Sequence, residues 1–274
     1  MLEPYAELIG DPVDHSLSPA IHGHWLQACG LAGSYRALRC PSETLAAYFG
    51  ARQADPLWRG CNVTMPLKEQ VAARLDWLED GAARSGAVNC VVPRDGELHG
   101  FNTDVDALLA ALDGIDLEGG RAIVLGSGGA ARGALVALGQ RKADRVVLAR
   151  DTDKRLKLLA LGSDVRCASL HAFAEAREDA AVIINATPLG MVGAEDMPRS
   201  ILEKLREVSS TPVVIDMVYR PLETEFLATA RAAGLRTVDG LTLLIGQARR
   251  AFELFFGIAP PPGDEALRTL LRPD

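Results

Sequence analysis

Residues 121–139 read RAIVLGSGGAARGALVALG: an apolar run, a glycine-rich turn, then apolar residues recurring at helical spacing. This stretch limits the fold most tightly. Gly126, Gly128 and Ala131 match G-x-G-x-x-[GA] between a strand and a helix start. The first glycine permits the tight turn, the second lets a pyrophosphate approach the backbone, and the alanine allows helix and strand to pack closely. Phosphates then meet the exposed amides of the helix N-terminus. The motif implies a nucleotide on a parallel-sheet α/β unit, the alternative being a glycine turn without a ligand. At the end of the next strand, VVLARDTDK places Arg150 at the tip and Lys154 one turn later. Two cations there suit the extra phosphate of NADP. Asp151 pulls toward NAD, whose ribose hydroxyls an acidic side chain accepts. A solvated basic edge beside Asp151 and Asp153 is the plainer alternative.

Strand and helix alternate elsewhere too. RVVLAR, AVIINATPLG and TPVVIDMVY continue the second α/β unit, with helices between them. In the first half, AELIG, GSYRALRC and GCNVTMP read as strands. SPAIHGHWLQACG is a helix closed by Gly30, SETLAAYFGARQ is a helix opened by Ser42, and LKEQVAARLDWLEDGAARSG forms one or two helices. The Asp95-Gly96 pair in AVNCVVPRDGELHGFNT signals a hairpin, so this sheet is mixed, with parallel strands and an antiparallel edge. TLLIGQARRAFELFFG is a long amphipathic helix that could complete either unit. At 274 residues, with 48% hydrophobic residues, the chain is long enough for two cores.

Composition excludes several functions. A net charge of −7 lacks the electrostatic footprint of a nucleic-acid or anionic-membrane partner. Five scattered cysteines without C-x-x-C spacing suit a reducing cytosol. The N-terminus lacks the basic-then-apolar pattern of a signal peptide, and no apolar run approaches the length of a membrane span. These features lead to the expectation of a cytoplasmic protein. His22 and His24 are two residues apart and point to different faces of a helix, so no metal site is expected.

CNVTMPLKEQ, residues 61–70, carries Asn62, Thr64 and Lys68 across a change of period at Pro66. Proline suits the first helical position, which puts Lys68 in the first turn, where the amide dipoles disfavour a cation. Either the lysine is solvated and tolerated, or its proton affinity is lowered for chemistry.

The strings DHSLSPAIH, NVTMPLK, AVN, FNTD, GSGGAAR, NATPLGM, DMVY and DGLTLLIGQ occur in an order and spacing that resembles the shikimate dehydrogenase family over nearly the whole chain. The resemblance implies an N-terminal mixed-sheet α/β substrate domain plus a Rossmann-like NADP-binding domain, with a cleft between them. The first would span residues 1–105, completed by 241–274, and the second 106–240. It implies reduction of 3-dehydroshikimate to shikimate with NADPH, by a monomer or homodimer, in aromatic amino acid biosynthesis. Lys68 and Asp104 would be the catalytic pair. Ser16 and Ser18 would hold the substrate carboxylate with help from Tyr219, while Asn62, Thr64, Asn89 and Gln247 would contact the ring hydroxyls. Gly126, Gly128, Gly129, Ala130, Arg132, Arg150 and Lys154 would serve the cofactor, and Met217 and Gly240 would line the nicotinamide pocket. Local alternatives stand beside two of these roles: Asp104 can cap the helix it begins, and Ser18-Pro19 is a good helix start by itself.

The chain departs from the family's usual residues at Phe101, Val105, Cys90 and Leu243, positions at the pocket rim or in packing. Ala149 and Asp151 also replace the usual neighbours of Arg150. A quinate or quinate/shikimate dehydrogenase using NAD is the nearest alternative, against which two serines at Ser16 and Ser18 favour shikimate. A nicotinamide-binding sensor without turnover is the other, but it has no need of a proton-transfer pair.

Overall fold

Apolar runs in the second half of the chain become strands buried on both faces, as the strands of a parallel sheet covered by helices must be. They are β7 (Arg121–Leu125), β8 (Asp144–Ala149), β10 (Ala180–Asn185) and β11 (Val213–Asp216). Edge strands β9 (Val165–Ser169) and β12 (Thr237–Val238) complete a six-stranded parallel sheet in the order β12-β11-β10-β7-β8-β9. Successive connections run to opposite sides of β7, so the strand order reverses between β7 and β10. A ligand crevice in such sheets opens at the carboxyl ends of the strands flanking that reversal. Ile123, Leu125, Leu148, Ile183 and Val214 pack with Phe173, Leu205, Phe226 and Leu227 in one core.

A second six-stranded sheet is mixed. It contains β1 (Tyr5–Gly10), β2 (Ser34–Arg39), β3 (Trp58–Val63), β4 (Trp77–Leu78), β5 (Cys90–Arg94) and β6 (Glu97–Phe101), in the order β2-β1-β3-β5-β6-β4. β2, β1 and β3 are parallel, whereas β5 is antiparallel to both β3 and β6. Asp95 at φ 52° and Gly96 at φ 87° make the β5–β6 hairpin turn. Side chains alternate between faces. Tyr5 and Ile9 pack with Tyr48, Trp58 and Val91 on one side, and Ala6 and Leu8 pack with Tyr35, Val92, Ala251 and Phe255 on the other.

The computed structural model describes residues 3–271, and contacts group the chain into Met1–Asp106 with Ile245–Asp274, here unit 1, and Ala107–Leu244, unit 2. No helix among the described residues is long and apolar enough to cross a membrane.

Local details differ from the sequence reading where edges and turns decide. The segment after Lys68 forms two helices, Lys68–Ala72 and Asp80–Ser85, with the two-residue edge strand β4 between them. Pro66 lies in a turn rather than at the first helical position; Leu67 N–H donates to the Thr64 carbonyl, and the helix starts at Lys68. β9 lacks an apolar signal because it is an edge strand bearing Arg166, which pairs with Asp144 of β8.

Candidate active site

Strand direction gathers the polar residues of unit 1. β1 and β3 are parallel and the strand order reverses between them, so the loops after both strands emerge at one edge. β5 runs the other way, bringing Asn89, just before it, to that edge, and β6 ends there with Asn102, Thr103 and Asp104 following. Close backbone contact fixes Thr64: a Cβ on Gly10 would lie 2.4 Å from Thr64 Cγ2 and 2.8 Å from the Met65 carbonyl oxygen, so only glycine fits at the end of β1.

Lys68 Nζ donates to Asp104 Oδ2 at 2.5 Å, with only 16% and 11% of the two side chains exposed. Asn89 Nδ2 donates to Asp104 Oδ1 and Thr103 Oγ1, both at 3.0 Å, while Asn89 Oδ1 accepts from Thr103 N–H at 2.8 Å. Thr103 Oγ1 also lies 3.3 Å from Gln247 Oε1. Asp104 therefore takes the lysine and an amide on its two oxygens, a use that capping a helix does not explain. The carboxylate, rather than the five-residue helix Lys68–Ala72, holds the lysine. Because an asparagine amide has two hydrogens, both donors of Asn89 are spent orienting Thr103 and Asp104. A substrate hydroxyl would have to displace one of them.

Ser18 begins the helix Ser18–Ala28 and caps nothing: Leu17 holds the cap position. Ser16 Oγ instead accepts from Ser18 N–H and lies 3.2 Å from Ser18 Oγ, placing the two hydroxyls together after β1. Asn62 is buried on β3, its Oδ1 accepting from Tyr35 O–H at 2.7 Å and its Nδ2 donating to the Asn89 carbonyl at 3.1 Å. The departures Phe101, Val105, Cys90 and Leu243 are all buried, so packing rather than an exposed rim accounts for them.

Unit 2 holds the glycine turn at its own order reversal. Gly126 has φ 118°, and a Cβ there would meet the Ala186 carbonyl oxygen, beyond the end of β10, at 2.9 Å. Glycine is required twice over, by conformation and by space. Gly128 is extended at φ −90°, and a Cβ on it would meet nothing within 4 Å. The helix Gly129–Gln140 follows, and its first-turn amides at Gly129 and Ala130 precede the repeating helical ladder. Ala131 is fully buried, and Arg132 stands one residue further on. Open space beside Gly128, under a helix start, fits a pyrophosphate.

Arg150 and Lys154 are exposed at the end of β8. Arg150 Nη1 pairs with Glu195 Oε2 at 2.5 Å, although the two side chains are 63% and 69% exposed. Asp151 caps the helix Thr152–Lys157, its Oδ1 accepting from Lys154 N–H at 3.0 Å. Its carboxylate is thus engaged locally, which leaves the two cations at the strand tip. Met217 and Tyr219 lie just after β11, half-buried. Gly240 is needed because a Cβ would lie 2.3 Å from the Val218 carbonyl oxygen, so the Met217–Val218 backbone rests directly on it. Asp216 ends β11 and accepts from Asn185 Nδ2 at 2.9 Å and Thr224 Oγ1 at 2.6 Å, tying together the loops after β10 and β11.

Three residues escaped the sequence reading: Tyr35, Thr103 and Glu195. Thr103 sits inside the FNTD string and had a local signal; Tyr35 and Glu195 act through partners distant in sequence.

Residues 8–91 match the family model described as shikimate dehydrogenase substrate binding domain. A relative from Sphingopyxis alaskensis, shikimate dehydrogenase (NADP(+)), is 45% identical over 98% of this chain and 97% of its own length. The crystal structure of shikimate 5-dehydrogenase from Thermus thermophilus in complex with NADP(H) and shikimate is 38% identical and superposes with a TM-score of 0.83, covering 98% of this chain and all of that one. Quinate dehydrogenase from Corynebacterium glutamicum in complex with NAD has the same TM-score, 0.83, at 29% identity, over 94% of this chain and 95% of that one.

Proposed function

The chain belongs to the shikimate dehydrogenase family, and from that membership we propose how its residues carry out the reversible NADPH-dependent reduction of 3-dehydroshikimate to shikimate. The observation that carries the assignment of roles is the Lys68–Asp104 pair, fixed by Asn89 and Thr103 at one edge of the unit 1 sheet.

When bound, NADPH supplies the hydride that reduces the ring carbonyl. Lys68 delivers the proton that the carbonyl oxygen needs, and in the reverse direction it receives the proton from the hydroxyl. Asp104 holds the ammonium group in place and compensates its charge in a mostly buried position. Ser16 and Ser18 bind the carboxylate through paired hydroxyls, and Asn62, Thr64, Asn89 and Gln247 orient the ring hydroxyls. In unit 2, Gly126, Gly128, Gly129 and Ala130 shape the pyrophosphate cradle with Arg132 beside it. Arg150 and Lys154 receive the additional phosphate of NADP, and Met217 and Gly240 form the segment nearest the nicotinamide end.

Asp151 is compatible with NADP, because one carboxylate oxygen is engaged as a helix cap and the other lies 3.9 Å from Lys154 Nζ. The net charge of −7 supports a small-molecule partner rather than nucleic acid or membrane, and a cytoplasmic place, while action as a monomer or homodimer rests on the family resemblance alone. The test is spectrophotometric oxidation of shikimate and quinate by the purified protein with NADP and with NAD. The highest kcat/KM is expected for shikimate with NADP; a preference for quinate with NAD would overturn both assignments.

A further inference from the structure

Tyr35 lies on β2, two strands away from Asn62 in the order β2-β1-β3, and on the sheet face that carries Ala6 and Leu8 and packs against Phe255. We propose that Tyr35 is a positioning residue for substrate recognition: its buried hydroxyl donates to Asn62 and locks the Asn62 amide with one N–H presented to the substrate. This inference rests on the substrate role proposed above for Asn62.

The hydrogen-bond inventory sets the direction of each contact. A phenol has a single hydrogen, and Tyr35 gives it to Asn62 Oδ1 at 2.7 Å. Asn62 is tied on both sides of its amide, the oxygen to Tyr35 and one Nδ2 hydrogen to the Asn89 carbonyl. A flipped amide would turn its NH2 toward the phenol hydrogen and its oxygen toward a carbonyl. The second Nδ2 hydrogen is the donor left for a ring hydroxyl.

Packing keeps the phenol from swinging. The His22 ring stacks on Tyr35 with centroids 4.0 Å apart and planes within 2°. His22 is fully buried among Trp25, Phe252 and Phe255, with neither ring nitrogen hydrogen-bonded, and burial pushes its pKa down to about 3. The stacking partner is therefore a neutral ring. Burial also holds the Tyr35 phenol well above its ordinary range, so it stays a donor throughout the working pH.

Tyr35→Phe keeps the ring and its stack and removes only the hydroxyl. Calorimetric titration with shikimate alone is expected to show binding weakened about tenfold, the scale of one buried hydrogen bond that orients a ligand donor. The KM for shikimate should rise by a similar factor, with the KM for NADP and the pH profile of kcat unchanged. Because Tyr35 acts through Asn62, adding Tyr35→Phe to Asn62→Ala should weaken binding little further than Asn62→Ala alone. Unchanged shikimate binding in Tyr35→Phe, with or without a lower melting temperature, overturns the proposal, as do fully additive effects in the pair. Failure of the unmodified protein to bind or oxidise shikimate sinks the functional reading itself, a different result from a Tyr35→Phe variant that behaves like its parent.

Discussion

Unit 1 and unit 2 each keep their candidate residues where the strand order reverses, beside a glycine that the packing demands: Gly10 against Thr64 in one, Gly126 against Ala186 in the other. They differ in what surrounds those residues. In unit 1 the polar groups are mostly buried and bonded to one another, Lys68 to Asp104, Asp104 to Asn89, and Asn89 to Thr103. In unit 2 the cradle beside Gly128 is open, and its charged residues, Arg150 with Glu195 and Lys154 near Asp151, pair at the surface. Proton transfer depends on fixed distances, so a buried network pre-pays the ordering of its groups. A cofactor that comes and goes is served by donors whose existing partners are weak enough to exchange.

The sharpest way to break this contrast is Lys68→Ala. Turnover should fall about 100- to 10,000-fold, the range of a general acid–base group, while NADPH binding measured by fluorescence is unchanged. Near-normal turnover in the folded variant would remove Lys68 from the chemistry.

Next in size is Glu7, fully buried on β1, where Arg52 donates to both its oxygens and Tyr48 and Arg36 add one bond each. Glu7→Gln should cost on the order of 3 kcal/mol, toward the low end for breaking a buried ion pair, because Arg36 is more than half exposed. Burial by itself raises the Glu7 pKa, but the bonds from Arg52, Tyr48 and Arg36 outweigh it and hold the carboxyl below its ordinary 4.5. The stability it contributes is therefore full above the unfolded-state value and is lost as pH falls through the lower folded-state value. Asp216 in unit 2 behaves oppositely: burial pushes it up from 3.8 to about 6 against the bonds from Thr224, Val218 and Asn185. Its folded-state preference for the proton means that this group's contribution is present below pH 3.8 and is lost as pH rises through 6. All three tryptophans, Trp25, Trp58 and Trp77, lie in unit 1, so their fluorescence reports that unit. Glu7→Gln should flatten the acid limb of the fluorescence-detected stability below pH 4.5, whereas Asp216→Asn should leave that limb alone; the reverse pattern would erase the distinction.

Smaller effects belong to the exposed pair. Arg150→Ala should raise the KM for NADP about tenfold, the low end for a charged hydrogen bond, and leave that for NAD nearly unchanged. Glu195→Gln should lower the KM for NADP by about two- to threefold, since it frees Arg150 from a surface ion pair of under about 1 kcal/mol. An increase in that constant would show that Glu195 helps to position the arginine instead of competing for it.

Legibility in the sequence followed the range of the interaction. The glycine turn, the Asp95-Gly96 hairpin and the buried strands β7, β8, β10 and β11 are local patterns and could be read directly. Edge strands β4 and β9 were not, because an edge can be short or polar and still be held by its neighbour. Asp151 carried a signal that went unused: an aspartate three residues before the amide it accepts is a common helix cap, and that local role accounts for an acid beside Arg150. The assignment of Lys68 to Asp104 came through family resemblance, since thirty-six residues separate them and neither spacing nor periodicity links them.

By itself the sequence determined two α/β sheets, the nucleotide turn and the residue types available for proton transfer, because backbone conformation, side-chain alternation and glycine's freedom act over a few residues. Only the tertiary structure decided which polar groups share an edge. The antiparallel run of β5 brings Asn89 to the end of β3, the end of β6 brings Asp104 to Lys68, and the order β2-β1-β3 sets Tyr35 against Asn62. Those partners come from different strands, and strand order and direction, which no short stretch encodes, place them within hydrogen-bonding distance.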